Sequence, residues 1–195
     1  GSICGSLLPT GGVSDEVDGV TMTCIDNGMP VGVLRAADFG LSGRESPEQL
    51  NADKVLKKRL ESIRLQIGPK MNLGDVADKA VPKMCLVSPA ERGGLISTRT
   101  FIPHKCHSAV GVLGAISAAT ACILPGSVAF DLVDVPAGDL KQISVEHPSG
   151  EFSISLNVDD SAAIPRIRKV GVLRTARLLS RGVLYVPNSE KRGKS

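Results

Sequence analysis

The chain has 195 residues and a formal net charge of +3, with no tryptophan, one tyrosine and four phenylalanines. This length allows one domain with a sizeable core or two small domains, and the core must be built from aliphatic side chains. Few aromatic rings are available to stack on bases, and much of the excess charge lies in a basic tail at residues 189–195, so we expect no nucleic-acid partner.

The cysteines and the longest apolar run bear on the cellular compartment. Five cysteines occur without a CxxC pair, and no secretory signal opens the chain. We therefore predict a reducing, cytoplasmic environment. Residues 109–124 are apolar but short for a bilayer span and rich in small residues, which predicts a buried helix and no membrane partner.

The first predicted elements are a lead-in segment over residues 1–19 and a β-hairpin. Two short β-type runs, residues 20–25 and 31–35, flank the sequence Asp26-Asn27-Gly28-Met29-Pro30. Because Asn-Gly between two such runs is a strong tight-turn signal, the pattern predicts an antiparallel pair.

A surface helix is predicted over residues 46–67. Ser46 and Gln49 have the spacing of a capping box, and Pro47 suits the first helical turn. Gly68-Pro69 then predicts the end of the helix.

The second half of the chain predicts a strand pair, a central helix and further strands. The pair covers residues 83–88 and 95–102, and the helix follows it. Later β runs are predicted at 127–135, 141–147, 151–158, 168–175 and 183–187, with a short helical stretch before the last. A helix that is apolar all round must be enclosed, so we predict an α+β fold in which a curved, mixed sheet wraps around it.

The polar cluster His104–Ser108 precedes the central helix directly and predicts Cys106 at the helix N-terminus. The helix dipole and the unpaired N–H groups there would favour a thiolate or hold a carboxylate. A half-buried capping cysteine explains the pattern equally well. His107 is a poor base for Cys106, because adjacent residues at a helix start point in different directions, and Ser108 could simply cap the helix. The cluster lacks regular zinc-ligand spacing, so we expect no metal.

Four other features are candidate anion ligands, each with a plain structural alternative. The Ser149-Gly150 turn and the Asn27-Gly28-Met29 turn could bind a carboxylate or be ordinary turns. Arg99 could clamp a carboxylate or lie exposed at a sheet edge. Lys83 could neutralise an anion, shuttle a proton or be a surface lysine. No Walker or Rossmann glycine motif is present.

Taken together, these motifs resemble the PrpF family, which includes 4-oxalomesaconate tautomerase and methylaconitate isomerase. The resemblance rests on GSLLPTG (5–11), TCIDNGMPV (23–31), SPEQLNAD (46–53), GDVADKAVPKM (74–84), RTFIPHKCHSAVGVLGAISAATA (99–121), EHPSG (146–150) and RTAR (174–177). It implies a diaminopimelate-epimerase-like fold, in which two similar domains face each other across a cleft at their helix N-termini.

The resemblance covers the C-terminal half of that family. It implies that residues 1–19 come from the missing N-terminal half, that 20–188 form the C-terminal epimerase-like domain, and that this half alone is inactive. The missing N-terminal domain would be a partner, and a homodimer is compatible with the family.

The implied chemistry is a cofactor-independent proton shift in an unsaturated polycarboxylate, most simply the keto–enol tautomerisation of 4-oxalomesaconate. The resemblance gives Cys106 and Lys83 catalytic roles. It gives substrate-binding roles to Asn27, Gly28, Met29, Arg99, His107, Ser108, Ser149 and Gly150. Methylaconitate isomerisation and a non-catalytic carboxylate-binding fragment are the alternatives. An amino-acid epimerase is disfavoured because CHSA stands where that class has CGTG, and a phenazine-biosynthesis-like protein is disfavoured by its different motifs.

Overall fold

The computed structural model describes residues 1–162, 164–173 and 176–185. Short 3₁₀ helices lie at Ala36–Phe39 and Phe130–Leu132. The other regular elements, in chain order, are β1 (Asp15–Val17), β2 (Val20–Asp26), β3 (Pro30–Arg35), α1 (Pro47–Ala52), α2 (Lys54–Lys70), β4 (Lys83–Pro89), β5 (Ile96–Phe101), α3 (Val112–Cys122), β6 (Leu140–His147), β7 (Gly150–Asp159) and β8 (Arg166–Val172).

Within the described residues, the eight strands form one mixed sheet in chain order. The pairs β3/β4 and β5/β6 are parallel and the other neighbouring pairs are antiparallel. Helix α3 contacts β2 and β3 near one end of the sheet and β6 and β7 near the other. Because one helix touches strands so far apart in the strand order, the sheet must curve around it. The α+β prediction of a curved, mixed sheet around a central helix is confirmed.

Each face of the sheet has its own core. The inner core surrounds α3, whose Ala115, Ala118 and Ala119 are fully buried. The outer core lies beneath α2 and includes Leu60 and Phe101. Since successive residues of a strand point to opposite faces, the strands β2 to β5 supply both cores alternately, whereas β6 and β7 add buried residues only to the inner core. Residues of one strand that differ by one in number therefore face different environments.

The helix predicted over 46–67 has the predicted start, but it is two helices. Both hydrogen bonds of the capping box between Ser46 and Gln49 are present. The helix is interrupted at Asp53, which adopts an extended backbone conformation and accepts the Leu56 N–H with its side chain. Asp53 thus begins a second helix, as aspartate favours caps over helix interiors. Helix α2 also runs past the predicted stop and includes Pro69.

The strand predicted at 127–135 is wrong. Ser127 donates its hydroxyl to the Ala121 carbonyl and accepts the N–H groups of Ala129 and Phe130, so the chain turns instead of extending. Residues 176–185 form neither the predicted short helix nor a strand, and residues 174, 175 and 186–195, including the predicted basic tail, lie outside the described residues. No helix in the described part of the chain is long and apolar enough to cross a bilayer.

Candidate functional site at the start of the central helix

Helix α3 begins well after Cys106, which corrects the predicted position of this cysteine. The N-cap is Gly111, and no side chain caps the helix. Residues 106 and 107 instead fold back beside β5: Cys106 forms an antiparallel bridge with Phe101, and the His107 N–H donates to the Thr100 carbonyl. Part of the polar cluster that was predicted at the helix start therefore pairs with strand β5 instead. Ser108 does not cap the helix.

Cys106 is buried in the outer core and lies on the face of the sheet opposite α3. It is 1% exposed, and its backbone N–H and carbonyl both bond to the Asn51 side chain. Burial raises the pKa of the Cys106 thiol to about 11, and the nearby Arg99 charge offsets this only in part. The thiol is therefore protonated near neutral pH, and the helix dipole of α3 does not activate it.

Lys83, in contrast, reaches the start of α3. It is the first residue of β4 and pairs with Val31 of the parallel strand β3. A Cβ atom at Gly111 would lie 3.9 Å from the Lys83 Nζ atom. Gly111 is exposed, so a positive side chain and the positive end of a helix dipole meet at one accessible point. Such an arrangement can hold a carboxylate and stabilise developing negative charge.

The approach to Lys83 is fixed by a buried arginine. Arg64 is 0% exposed, forms a two-pronged ion pair with Glu61, and donates to the carbonyls of Val76, Lys79 and Val81. These carbonyls belong to the segment that leads into β4. The three carbonyls accept from the same charged Nη1 group, and because charge-assisted hydrogen bonds are strong, Arg64 anchors the segment that leads into β4.

The Asn27-Gly28-Met29 turn, predicted as a hairpin turn, packs along the flank of α3. The Ser117 hydroxyl accepts the Asn27 N–H and donates to the Met29 carbonyl. The Asn27 side-chain amide donates to Thr120 Oγ1. Gly28 has φ 94°, which favours glycine, and lies against Leu113 in the first turn of the helix. The turn therefore forms part of the wall beside the open helix terminus.

The remaining predicted ligands on the α3 side are His107 and the Ser149-Gly150 turn. His107 is exposed, and its pairing with Thr100 places it on the α3 side of the sheet, because Thr100 contacts Cys85 of the inner core. Ser149 donates both its N–H and its hydroxyl to the Ser108 carbonyl, and the Gly150 carbonyl accepts from Arg92. This turn is thus largely occupied by structural hydrogen bonds.

Arg99 lies on the outer face with Cys106. Its Nε donates to the Glu45 carbonyl, and its Nη1 donates to Ser97 Oγ and the Thr98 carbonyl. The structure therefore divides the predicted residues into a group beside α3, with Lys83 and the Asn27-Gly28-Met29 turn, and a group behind the sheet, with Arg99 and Cys106. One small ligand does not contact both groups.

Three residues that shape the site were not among those predicted from the sequence: Gly111, Ser117 and Thr120. A signal existed for two of them, because Ser117 and Thr120 are hydroxyl residues at helical spacing in an otherwise apolar helix. In the part of the chain that the structure describes, no group of three His, Cys, Asp or Glu side chains is placed to hold a metal.

A curved, mixed sheet wrapped around one buried helix, open at the helix N-terminus, is the architecture of the diaminopimelate-epimerase-like class. The solved structure of a methylitaconate-delta-isomerase matches 87% of this chain and 51% of its own, with a TM-score of 0.72 and 19% identity. Residues 1–187 match the family model described as PrpF protein. The chain belongs to the PrpF family.

Several curated relatives share the sequence. A 4-oxalomesaconate tautomerase of Pseudomonas putida is 53% identical over 186 residues, which are 95% of this chain and 50% of the relative. A (4E)-oxalomesaconate Delta-isomerase of Novosphingobium sp. is 50% identical over 95% of this chain and 51% of its own length. A 2-methyl-aconitate isomerase of Shewanella oneidensis is 28% identical over 94% of this chain and 51% of its own length. The chain therefore spans about half the length of the curated relatives it matches.

Proposed function

We propose that this chain is the C-terminal half of a two-domain, cofactor-independent isomerase, and that its substrate is 4-oxalomesaconate. The observation that carries the proposal is the meeting of Lys83 with the uncapped N-terminus of α3. Two oxalomesaconate enzymes match nearly the whole of this chain over about half of their own length. This similarity supports the choice of 4-oxalomesaconate as the substrate.

The reaction is a proton shift along a conjugated polycarboxylate. A base removes a proton from a carbon next to a carbonyl group, the electron pair spreads over the conjugated system as a dienolate, and an acid returns a proton elsewhere on that system. The carbon acid is weak, so the enzyme must stabilise the dienolate. The N–H groups at the start of α3 and the Lys83 ammonium group would do so, and Lys83 would supply the returning proton.

The second proton-transfer group would belong to the other half of the protein. Within this chain, the Lys83 site is open to solvent on one side, whereas stabilisation of an enolate is most effective where water is excluded. A facing N-terminal domain would close the site and supply the opposite wall. His107, exposed on the same side of the sheet, would contact a substrate carboxylate, and the Asn27-Gly28-Met29 turn would shape the wall.

Cys106 and Arg99 have no place in this mechanism. The Cys106 thiol is buried on the opposite face, and its raised pKa makes it a poor acid or base at neutral pH. The 28% identity to a 2-methyl-aconitate isomerase keeps an allylic isomerisation of methylaconitate as the second candidate, since the same site would stabilise both dienolates.

An absorbance assay of 4-oxalomesaconate tautomerisation tests the proposal. The chain alone would be compared with the chain joined to an N-terminal half of the kind its relatives carry. We expect turnover only in the joined protein. Turnover of methylaconitate but not of 4-oxalomesaconate would select the second candidate, and no turnover of either substrate by a folded joined protein would contradict the proposal.

A further inference from the structure

A second cleft lies on the outer face of the sheet, away from α3. It has a volume of about 280 Å³ and lies between the loop before α1, the loop between β4 and β5, and the strands β5 and β6. Charged side chains dominate its lining, which includes Arg44, Glu45, Glu91, Arg92, Arg99 and Glu146.

Arg99 lies at the base of this cleft without a direct ion pair to any described carboxylate. The residue is 8% exposed, and its Nε and Nη1 donors are all occupied by neutral oxygens. None of the described residues accepts from its Nη2. Burial lowers the pKa of Arg99, although the Cys106 thiol and the Glu91 and Glu45 carboxylates oppose this. A buried charge of this kind is costly unless something pairs with it.

The carboxylates around the cleft are already committed to other partners. Glu146 accepts the backbone N–H groups of Glu91, Arg92 and Gly94. The Glu45 carboxylate accepts the N–H groups of Ser42 and Gly43.

Arg44 and Arg92, which also line the cleft, differ in how many of their hydrogen-bond donors already have partners. The Arg44 guanidinium group already forms an ion pair with the Glu91 carboxylate. The Arg92 Nη2 donates to the His147 carbonyl at 2.5 Å and to the Gly150 carbonyl at 3.2 Å, and none of the described residues accepts from its Nε or Nη1. Two guanidinium groups at one cleft therefore have donors that no residue in the described part of the chain uses.

We propose that this cleft binds a small oxyanion, a carboxylate or a phosphate, between Arg99 Nη2 and the free edge of Arg92. Guanidinium groups match the geometry of both anions, and the ligand would supply the direct ion-pair partner that Arg99 lacks among the described residues. The site is separate from the Lys83 site, because Arg99 and Phe101 share the outer face while Thr100 faces the inner core. It does not depend on the proposed isomerase activity.

Calorimetric titration of the protein tests this site, with tricarballylate and inorganic phosphate as separate probes at constant ionic strength. The Arg92→Gln and Arg99→Gln variants should each weaken binding of the preferred probe roughly tenfold or more, as expected for losing a charge-assisted hydrogen bond. Arg168→Gln, which removes one positive charge from β8 away from the cleft, should leave this binding unchanged.

The possible results distinguish a carboxylate site, a phosphate site and the absence of a site. Binding of tricarballylate alone assigns the site to carboxylates, and binding of phosphate alone assigns it to phosphates; both support the proposal. Unchanged binding in Arg92→Gln, or no binding of either probe to the wild type, would overturn it. Arg92 is exposed, so its variant remains informative even if Arg99→Gln, which removes the bond to the Glu45 carbonyl, fails to fold.

Discussion

Cys106 and His107 are neighbours in the chain but lie on opposite faces of the sheet. Cys106 pairs with Phe101 and belongs to the outer core, whereas His107 pairs with Thr100, whose hydroxyl contacts Cys85 in the inner core. This alternation places the thiol and the imidazole in different environments. It separates Cys106 from the site at the start of α3 and leaves His107 on the same side of the sheet as that helix.

Replacing Cys106 with alanine should therefore affect stability and not turnover. Loss of the buried sulfur should lower the free energy of unfolding by about 1 kcal/mol, as for other small core truncations. In the two-domain protein, 4-oxalomesaconate turnover should stay within about threefold of the wild type, well short of the effect of losing a general acid or base. Urea unfolding and the absorbance assay measure the two effects. A hundredfold loss of turnover in a stably folded variant would restore a catalytic role for Cys106.

Ser117 should hold the Asn27-Gly28-Met29 turn against α3. Ser117→Ala leaves the Asn27 N–H and the Met29 carbonyl without this buried partner, which should cost about 1–3 kcal/mol of unfolding free energy. Thr120→Ser keeps the hydroxyl that accepts from Asn27 and is the matched control. Equal unfolding free energies for Ser117→Ala and the wild type would show that this hydroxyl does not hold the turn.

Gly111→Ser tests whether the helix start must stay uncapped. A serine hydroxyl at this N-cap would accept an N–H of the first turn, which should stabilise the protein by roughly a few tenths of a kcal/mol. The same bond removes a donor from the proposed dienolate site, so turnover should fall by about tenfold.

Gly111→Ala is the control for this change. Its methyl group fits at 3.9 Å from Lys83 Nζ but accepts no hydrogen bond, so turnover should change less than in Gly111→Ser. A serine variant that is both more stable and fully active would argue against the role of the helix N–H groups.

Glu146 should give stability that depends on pH. Burial alone would raise the pKa of this carboxyl group, but the N–H groups of the loop between β4 and β5 outweigh it and hold the pKa below its usual value of 4.5. A lowered folded-state pKa means that the stabilisation is complete above pH 4.5 and is lost as the pH falls through the folded value.

Glu146→Gln should accordingly cost about 1–3 kcal/mol at pH 7, and the difference from the wild type should shrink below pH 4.5. Urea unfolding of both proteins between pH 3 and pH 7 measures this. Glu151→Gln, at an exposed position on β7, is the control. A difference between Glu146→Gln and the wild type that is constant over this pH range would contradict the role assigned to the N–H groups.

Local sequence signals predicted the parts of the fold that local chemistry determines. The Asn-Gly turn, the capping box at Ser46 and the Pro148-Ser149-Gly150 turn are each specified by a few adjacent residues, and each is present. The polar cluster around Cys106 was misplaced because its conformation depends on pairing with β5. That pairing uses backbone groups and leaves no pattern in the side chains.

The site could be predicted only in part for the same reason. Lys83 was found because it opens a strand, but its proximity to Gly111 follows from the parallel pairing of β3 with β4 and from Arg64, which lies outside the strand. The opposite placement of Arg99 follows from strand register, which a single β run does not fix. Distances between elements therefore had to come from the structure.

The most direct test of the account is 4-oxalomesaconate turnover by the two-domain protein carrying Lys83→Gln. Lys58→Gln, an exposed lysine change on α2, serves as the control. We predict that Lys83→Gln lowers turnover by roughly a hundredfold or more while the unfolding midpoint stays near that of the wild type, and that Lys58→Gln changes neither. Wild-type turnover by a correctly folded Lys83→Gln protein would contradict the assignment of the site to the start of α3.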